Sequence, residues 1–199
     1  MPLGFTSQLQ AINMMLGTIG TAPINSLTGA NSADVAMAKN VLDEISVAVQ
    51  SMRWHFNTED DVELTPNVTT KEISIPSNAL LVDLDETIKV DVAIRGNRLY
   101  DLKNKTYQFD GSVKVRIVYA LEWDLLPQPA RHYIAVRAAR VFQDRAVGSQ
   151  LGHAFTSRDE FMALATLKDY DGETADRTIF DNYATFRVID RQYPHRGVY

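Results

Sequence analysis

The spacing of apolar residues changes twice along this chain, and that change constrains the fold more than any other feature. In the first fifty residues apolar side chains recur every three or four positions. Leu9, Ile12, Leu16 and Ile19 fall on one helical stripe, with Ser7 as a cap and Gly17 and Gly20 at the end. A loop carrying Pro23, Asn25, Ser26, Gly29 and Asn31 follows. A second helix is expected from Asn31 or Ser32 to about Arg53, ended by Trp54. Asp34 lies in its first turn, where the helix dipole favours an acid. Ala38, Val41, Leu42, Ile45, Val49 and Met52 form its stripe.

From His55 to Glu122 the period becomes two. Ile73 and Ile75, then Ile88, Val90, Val92 and Ile94, alternate with polar residues, and so do Val113, Val115, Ile117, Tyr119 and Leu121. Gly96-Asn97 and Asp110-Gly111 read as turns. Residues 99–102 and 106–109 flank Asn104-Lys105 as an expected hairpin. Several short strands in succession predict an antiparallel β-region.

Pro127 and Pro129 return the chain to helix. A third helix is expected over 128–147, with Ile134, Ala138, Val141 and Phe142 inward and Gly148 at its end. A fourth is expected over 156–170, capped by Ser157 with Glu160 at capping-box spacing and Phe161, Leu164 and Leu167 as its stripe. The fold class is therefore α+β. Residues 1–54 and 127–173 form a helical bundle, 55–126 an inserted antiparallel β-domain, and 174–199 an extended tail.

A chain of 199 residues can bury a core without staples, and it has no cysteine, which excludes disulfides and thiolate metal sites. Residues 1–6 lack the charged stretch and apolar run of a signal peptide, and no apolar run is long enough for a membrane span. The net charge of −5 argues against tight wrapping of nucleic acid. Acid is concentrated between residues 55 and 91, which hold nine acids and two bases. The tail carries four arginines against three aspartates. This asymmetry suits different partners at the two ends of the molecule, or a solvated acidic face.

Catalytic patterns are thin. His55, His132, His153 and His195 form no metal-site spacing, so no metal or other cofactor is expected. Glu59-Asp60-Asp61 and the trio Asp83, Asp85 and Glu86 could supply a carboxylate pair for a polysaccharide hydrolase, but read more simply as solvated faces. Asp169-Tyr170-Asp171-Gly172-Glu173 lacks the closing positions of a calcium loop. Ser149 does not lie in a nucleophile elbow. Trp54 and Phe56 read as core anchors between helix and sheet. Arg131, Arg137, Arg140 and Arg145 on the third helix suit contacts between subunits better than DNA binding. A dense basic lining would hold DNA rather than let it slide. A sequence-specific DNA-binding protein is disfavoured for want of a basic recognition helix.

The chain resembles the tail tubular protein A family of short-tailed phages. The likeness rests on Leu9-Gln10-Ala11-Ile12-Asn13, Leu16, Ile19-Gly20, Pro23-Ile24 and Ser26-Leu27, followed by the run from Gln50 to Asn57 with Trp54, Phe56 and Asn57 at the junction. Leu99-Tyr100-Asp101, Phe109-Asp110, Pro127, Arg131, Tyr133-Ile134, Ala139-Arg140-Val141-Phe142 and Arg145 extend it to about Gly148. The resemblance implies a non-enzymatic virion protein in a dodecameric adaptor ring between portal and tail nozzle. Double-stranded DNA would pass through the hole and tail fibres would dock nearby. Because aromatics and arginine are enriched at interfaces, Tyr183, Phe186, Arg187, Arg191, Tyr193, Arg196 and Tyr199 of the tail are expected to grip the portal.

Overall fold

The computed structural model of the chain describes residues 4–29, 32–84, 91–148 and 150–175. The architecture is α+β, with an antiparallel β-region between two pairs of helices. Helix α1 spans Gln8–Thr18 and α2 spans Ala33–Gln50. Ser7 and Gln10 close a full capping box on α1, satisfying two amide donors that no helical carbonyl can reach. Ser32 occupies the N-cap of α2, but its hydroxyl makes no capping hydrogen bond. The helix ends at Gln50, and Met52, expected on its stripe, is 47% exposed. The reason is Arg53, whose left-handed backbone (φ 64°) turns the chain so that Trp54, not Met52, enters the core.

Strands β1 (Thr58–Leu64), β2 (Ala79–Leu84) and β5 (Val113–Tyr119) form one sheet in the order β1-β5-β2. Strands β3 (Val92–Arg95) and β4 (Arg98–Asp101) form a separate hairpin across the Gly96-Asn97 turn. The expected hairpin around Asn104-Lys105 is not one. The backbone of residues 106–109 pairs with β4 at a single Asp101–Thr106 bridge, and Gln108 bridges back to Glu72. A buried carboxylate explains this: Asp101 accepts hydrogen bonds from the Asn104 amide and side chain, each at 2.8 Å, which curls the chain before a ladder can extend. Ile88 and Val90 lie outside the described residues.

Burial pushes the Asp101 carboxyl up, but the hydrogen bonds from Asn104 and from the Lys103 backbone outweigh it and hold the carboxyl below its usual range. A depressed carboxylate stabilises the fold above its unfolded pKa of about 4 and loses that contribution as pH falls through the folded value. Asp101→Asn should therefore be less stable than wild type at neutral pH, and the gap should close as pH falls below about 4. Urea titrations at several pH values would show it, and a gap independent of pH would refute it.

Helix α3 spans Gln128–Ala146 and α4 spans Gln150–Thr174. Gly148, at φ 66°, separates them, as its position after the third stripe predicts. The fourth helix starts earlier than expected, so Ser157 lies inside it rather than at its cap. Ala163 and Leu167 are buried and Leu164 half-buried, whereas Phe161 is 69% exposed. The helix packs through the 163/167 stripe, and Phe161, two residues before Ala163, falls on the opposite face.

One core unites all four helices. Ile12, Met15, Leu16, Leu42, Tyr133, Ile134, Phe142 and Leu167 are fully buried in it. Two smaller clusters fill the β-region, one around Ile73, Leu99 and Phe109 and the other around Val115 and Ile117. Helical and β cores meet at a polar seam. Gln50 exchanges hydrogen bonds with both backbone groups of Leu121, and the Asn57 amide donates to the carbonyls of Gln50 and Tyr119, both at 2.8 Å. Trp54 covers the seam, its indole N–H donating to the Val49 carbonyl at 2.7 Å.

Candidate functional site

The four arginines of α3 are expected at an interface, and each has partners in its own chain. Arg131 is buried. Its guanidinium donates to the carbonyls of Leu126 (2.8 Å) and Asp124 (2.7 Å), locking the 3₁₀ turn Trp123–Leu125 that leads into α3. Arg137 donates to the Tyr133 hydroxyl at 3.0 Å and lies 3.7 Å from Glu160. Arg140 pairs with Glu160 and, at 3.3 Å, with Asp144, one helical turn on. Arg145 makes a two-pronged bond to Glu44 of α2 at 2.7 and 2.8 Å. The arginines thus fasten α3 to α4 and α2.

Local charge follows from this pairing. The hydrogen bond with Glu160 raises the Arg140 pKa, against desolvation. The bond from Arg145 lowers that of Glu44, and Arg145 is raised in turn. The Arg145 pair is open to water, so screening keeps its contribution small. Glu160 is mostly buried beneath two guanidinium groups, so its loss would leave both short of a partner.

Helices α1 and α4 both lie on α3 and leave a groove of about 400 Å³ between them. It is lined by Met14, His132, Val136, Asp159, Met162, Ala163 and Thr166. Met162 of this lining is exposed, as is its neighbour Phe161. In the β-region, Arg95, Arg98, Tyr100 and Tyr107 stack against one another on the hairpin.

The acidic candidates scatter. Glu59, Asp60 and Asp61 lie on β1, where Asp60 pairs with Arg116 of β5. Asp83 is exposed and lies 3.5 Å from Arg53, while Asp85 and Glu86 fall outside the described residues. Among the described residues no three His, Asp or Glu side chains gather as metal ligands would. The portal-facing candidates Tyr183, Phe186, Arg187, Arg191, Tyr193, Arg196 and Tyr199 also lie outside the described residues, as does Ser149. Sequence reasoning missed the Arg–Tyr stack and the Gln50–Asn57 seam. The strict alternation of Arg98, Tyr100 and Leu99 was the one available signal for the stack.

Ion-paired helices, an exposed apolar groove and a stacked cationic hairpin are features of a subunit made for contacts with other proteins. The comparisons identify the class. The tail tubular protein family matches residues 9–177, so the chain belongs to that family and is a structural component of a bacteriophage tail, hence of the virion. The chain is also 29% identical over 128 residues to tail tubular protein A of Klebsiella phage KP34, covering 64% of this chain and 67% of that protein. Among the described residues no helix is long and apolar enough to cross a membrane.

Proposed function

We propose that this chain is the subunit of a dodecameric adaptor ring that joins the portal to the tail nozzle and lines part of the DNA conduit. The match to the tail tubular protein family over residues 9–177 carries this reading. In it, the helical unit (residues 1–54 and 127–173) faces the portal, and the β-unit (55–126) reaches toward the nozzle, near the place where tail fibres dock. The C-terminal tail supplies portal contacts through Tyr183, Phe186, Arg187, Arg191, Tyr193, Arg196 and Tyr199.

Double-stranded DNA passes without sequence-specific binding. Internal pairing of the α3 arginines supports this, because a phosphate would have to displace a carboxylate already in place. Where Arg137, Arg140 and Arg145 stay partly open, they remain able to meet a neighbouring subunit as well. The output is binding energy, with no catalytic step, and assembly takes place in the host cytoplasm.

Electron microscopy of the purified chain, alone and mixed with the portal of the same phage, tests the reading. Rings stacked coaxially on the portal are expected. A chain truncated after Ala175 keeps every described element and should still form rings but no longer hold the portal. A full-length chain that stays monomeric and ignores the portal would overturn the adaptor role.

A further inference from the structure

The β3–β4 hairpin presents an ordered cationic surface. In its register Arg95 lies across from Arg98 and Ala93 from Tyr100, so these four share one face, while Ile94 and Leu99 share the other and enter the core. On the outer face the Arg95 guanidinium sits 3.7 Å from the centre of the Tyr100 ring. Tyr100 meets Tyr107 edge to face at 4.8 Å, and Arg98 covers Tyr107 at 4.5 Å. Glu72 neutralises Arg98 at 2.7 Å, but no carboxylate among the described residues reaches Arg95. Lys103 and Lys105 are exposed in the turn that follows. Side chains already held by stacking lose little freedom on binding, and Tyr and Arg dominate the energetics of protein interfaces.

Strand β1 is the counterpart. It is an edge strand whose exposed side chains include Glu59, Asp60, Asp61 and Glu63, with no base. Asp60 is paired with Arg116, and Glu63 faces Lys114 across the ladder. Asp61, at φ 57°, has no ladder partner, because a bulge shifts the register between Glu59 and Val62. Among the described residues neither Glu59 nor Asp61 has a cation partner. Bulge and charge together disfavour main-chain pairing along this edge, which leaves side-chain recognition. In the strand order β1 lies at the edge away from β2, and β2 is the strand that neighbours β3. The acidic and cationic surfaces therefore belong to different sheets, one on the β1 edge and the other on the β3–β4 hairpin.

A ring closes head to tail only if each subunit carries two different, complementary patches. We propose that the Arg95–Tyr100–Tyr107–Arg98 face of one subunit docks on the acidic β1 edge of the next copy, with Glu59 and Asp61 meeting Arg95 and Lys105. The inference rests on the ring reading above and names the surfaces that would close it.

Charge reversal in the full-length chain tests it. R95E/K105E and E59K/D61K should each need about a hundredfold more protein to form rings, since each sets like charges against one another at the interface. The chain carrying all four changes should assemble at close to the wild-type concentration. Reversed chains that keep the wild-type circular dichroism spectrum and form rings as readily as wild type would overturn the docking while leaving the ring intact. A wild-type chain that forms no ring, alone or with the portal, would overturn the ring reading and this inference with it. The native chain has no cysteine. R95C and D61C in one chain, treated with a short bismaleimide, therefore give a second readout independent of charge. A ladder of linked oligomers is expected, and its absence from wild-type-like rings would refute the contact.

Discussion

Trp54→Ala is expected to cost about 3–5 kcal/mol of folding stability, the usual loss when a large aromatic leaves a packed core. Trp54 is 6% exposed and lies stacked with Phe56 at 6.4 Å between ring centres. The substitution opens a cavity where helical and β cores meet, and it strips the Val49 carbonyl of the indole donor that covers the end of α2. Trp54→Phe should recover most of the packing and still lose about 1 kcal/mol for the missing hydrogen bond. Guanidinium unfolding followed by circular dichroism would measure both, with Trp123 fluorescence as a second probe. A loss for W54A below about 1 kcal/mol would mean that the two cores hold together without it.

Asn57→Asp should be at least as damaging. The Asn57 side chain is almost wholly buried and points its amide at two carbonyl oxygens, those of Gln50 and Tyr119. N57D replaces that donor with a carboxylate facing two acceptors, so a loss above about 3 kcal/mol is expected at neutral pH. The sign of its pH dependence follows. A buried carboxyl without donors has a folded pKa above its unfolded value of about 3.9. Its charge penalty is then absent below that value and grows as pH rises toward the folded pKa. N57D should therefore lie closest to wild type near pH 4, while Asn57→Ala should show a deficit of about 1–3 kcal/mol that ignores pH. Equal losses for N57D at pH 4 and pH 7 would rule out the buried-charge account.

Both variants lie in the junction from Gln50 to Asn57, which also carries much of the family likeness. The physical role explains why such residues belong there. The chain must leave a helix, reverse through Arg53, bury an indole and start an edge strand within a few residues. Each of those steps uses a specific side chain. The family likeness is written in these residues of the sequence, and the tail tubular protein match bears it out.

What the sequence determined by itself was local. Period 3.6 marked α1, α2 and α3, the Gly96-Asn97 turn marked one hairpin, and alternation marked β5. These features depend on neighbours in the chain, and their signals lie within a few residues of each other. The start of α4, the outward turn of Phe161 and the failure of a hairpin at Asn104-Lys105 depended on packing and on the buried Asp101, which no periodicity reports. The same holds for the candidate sites. Four arginines on one helix look alike in sequence. Only the tertiary structure gave Arg131 a turn to lock, Arg137 and Arg140 a shared glutamate twenty or more residues away, and Arg145 a partner on α2. It also left Arg95 stacked on Tyr100 without a carboxylate among the described residues. Charge is set residue by residue, but whether it is spent inside the subunit or left for a neighbour is decided by which distant side chains the fold brings within hydrogen-bond reach.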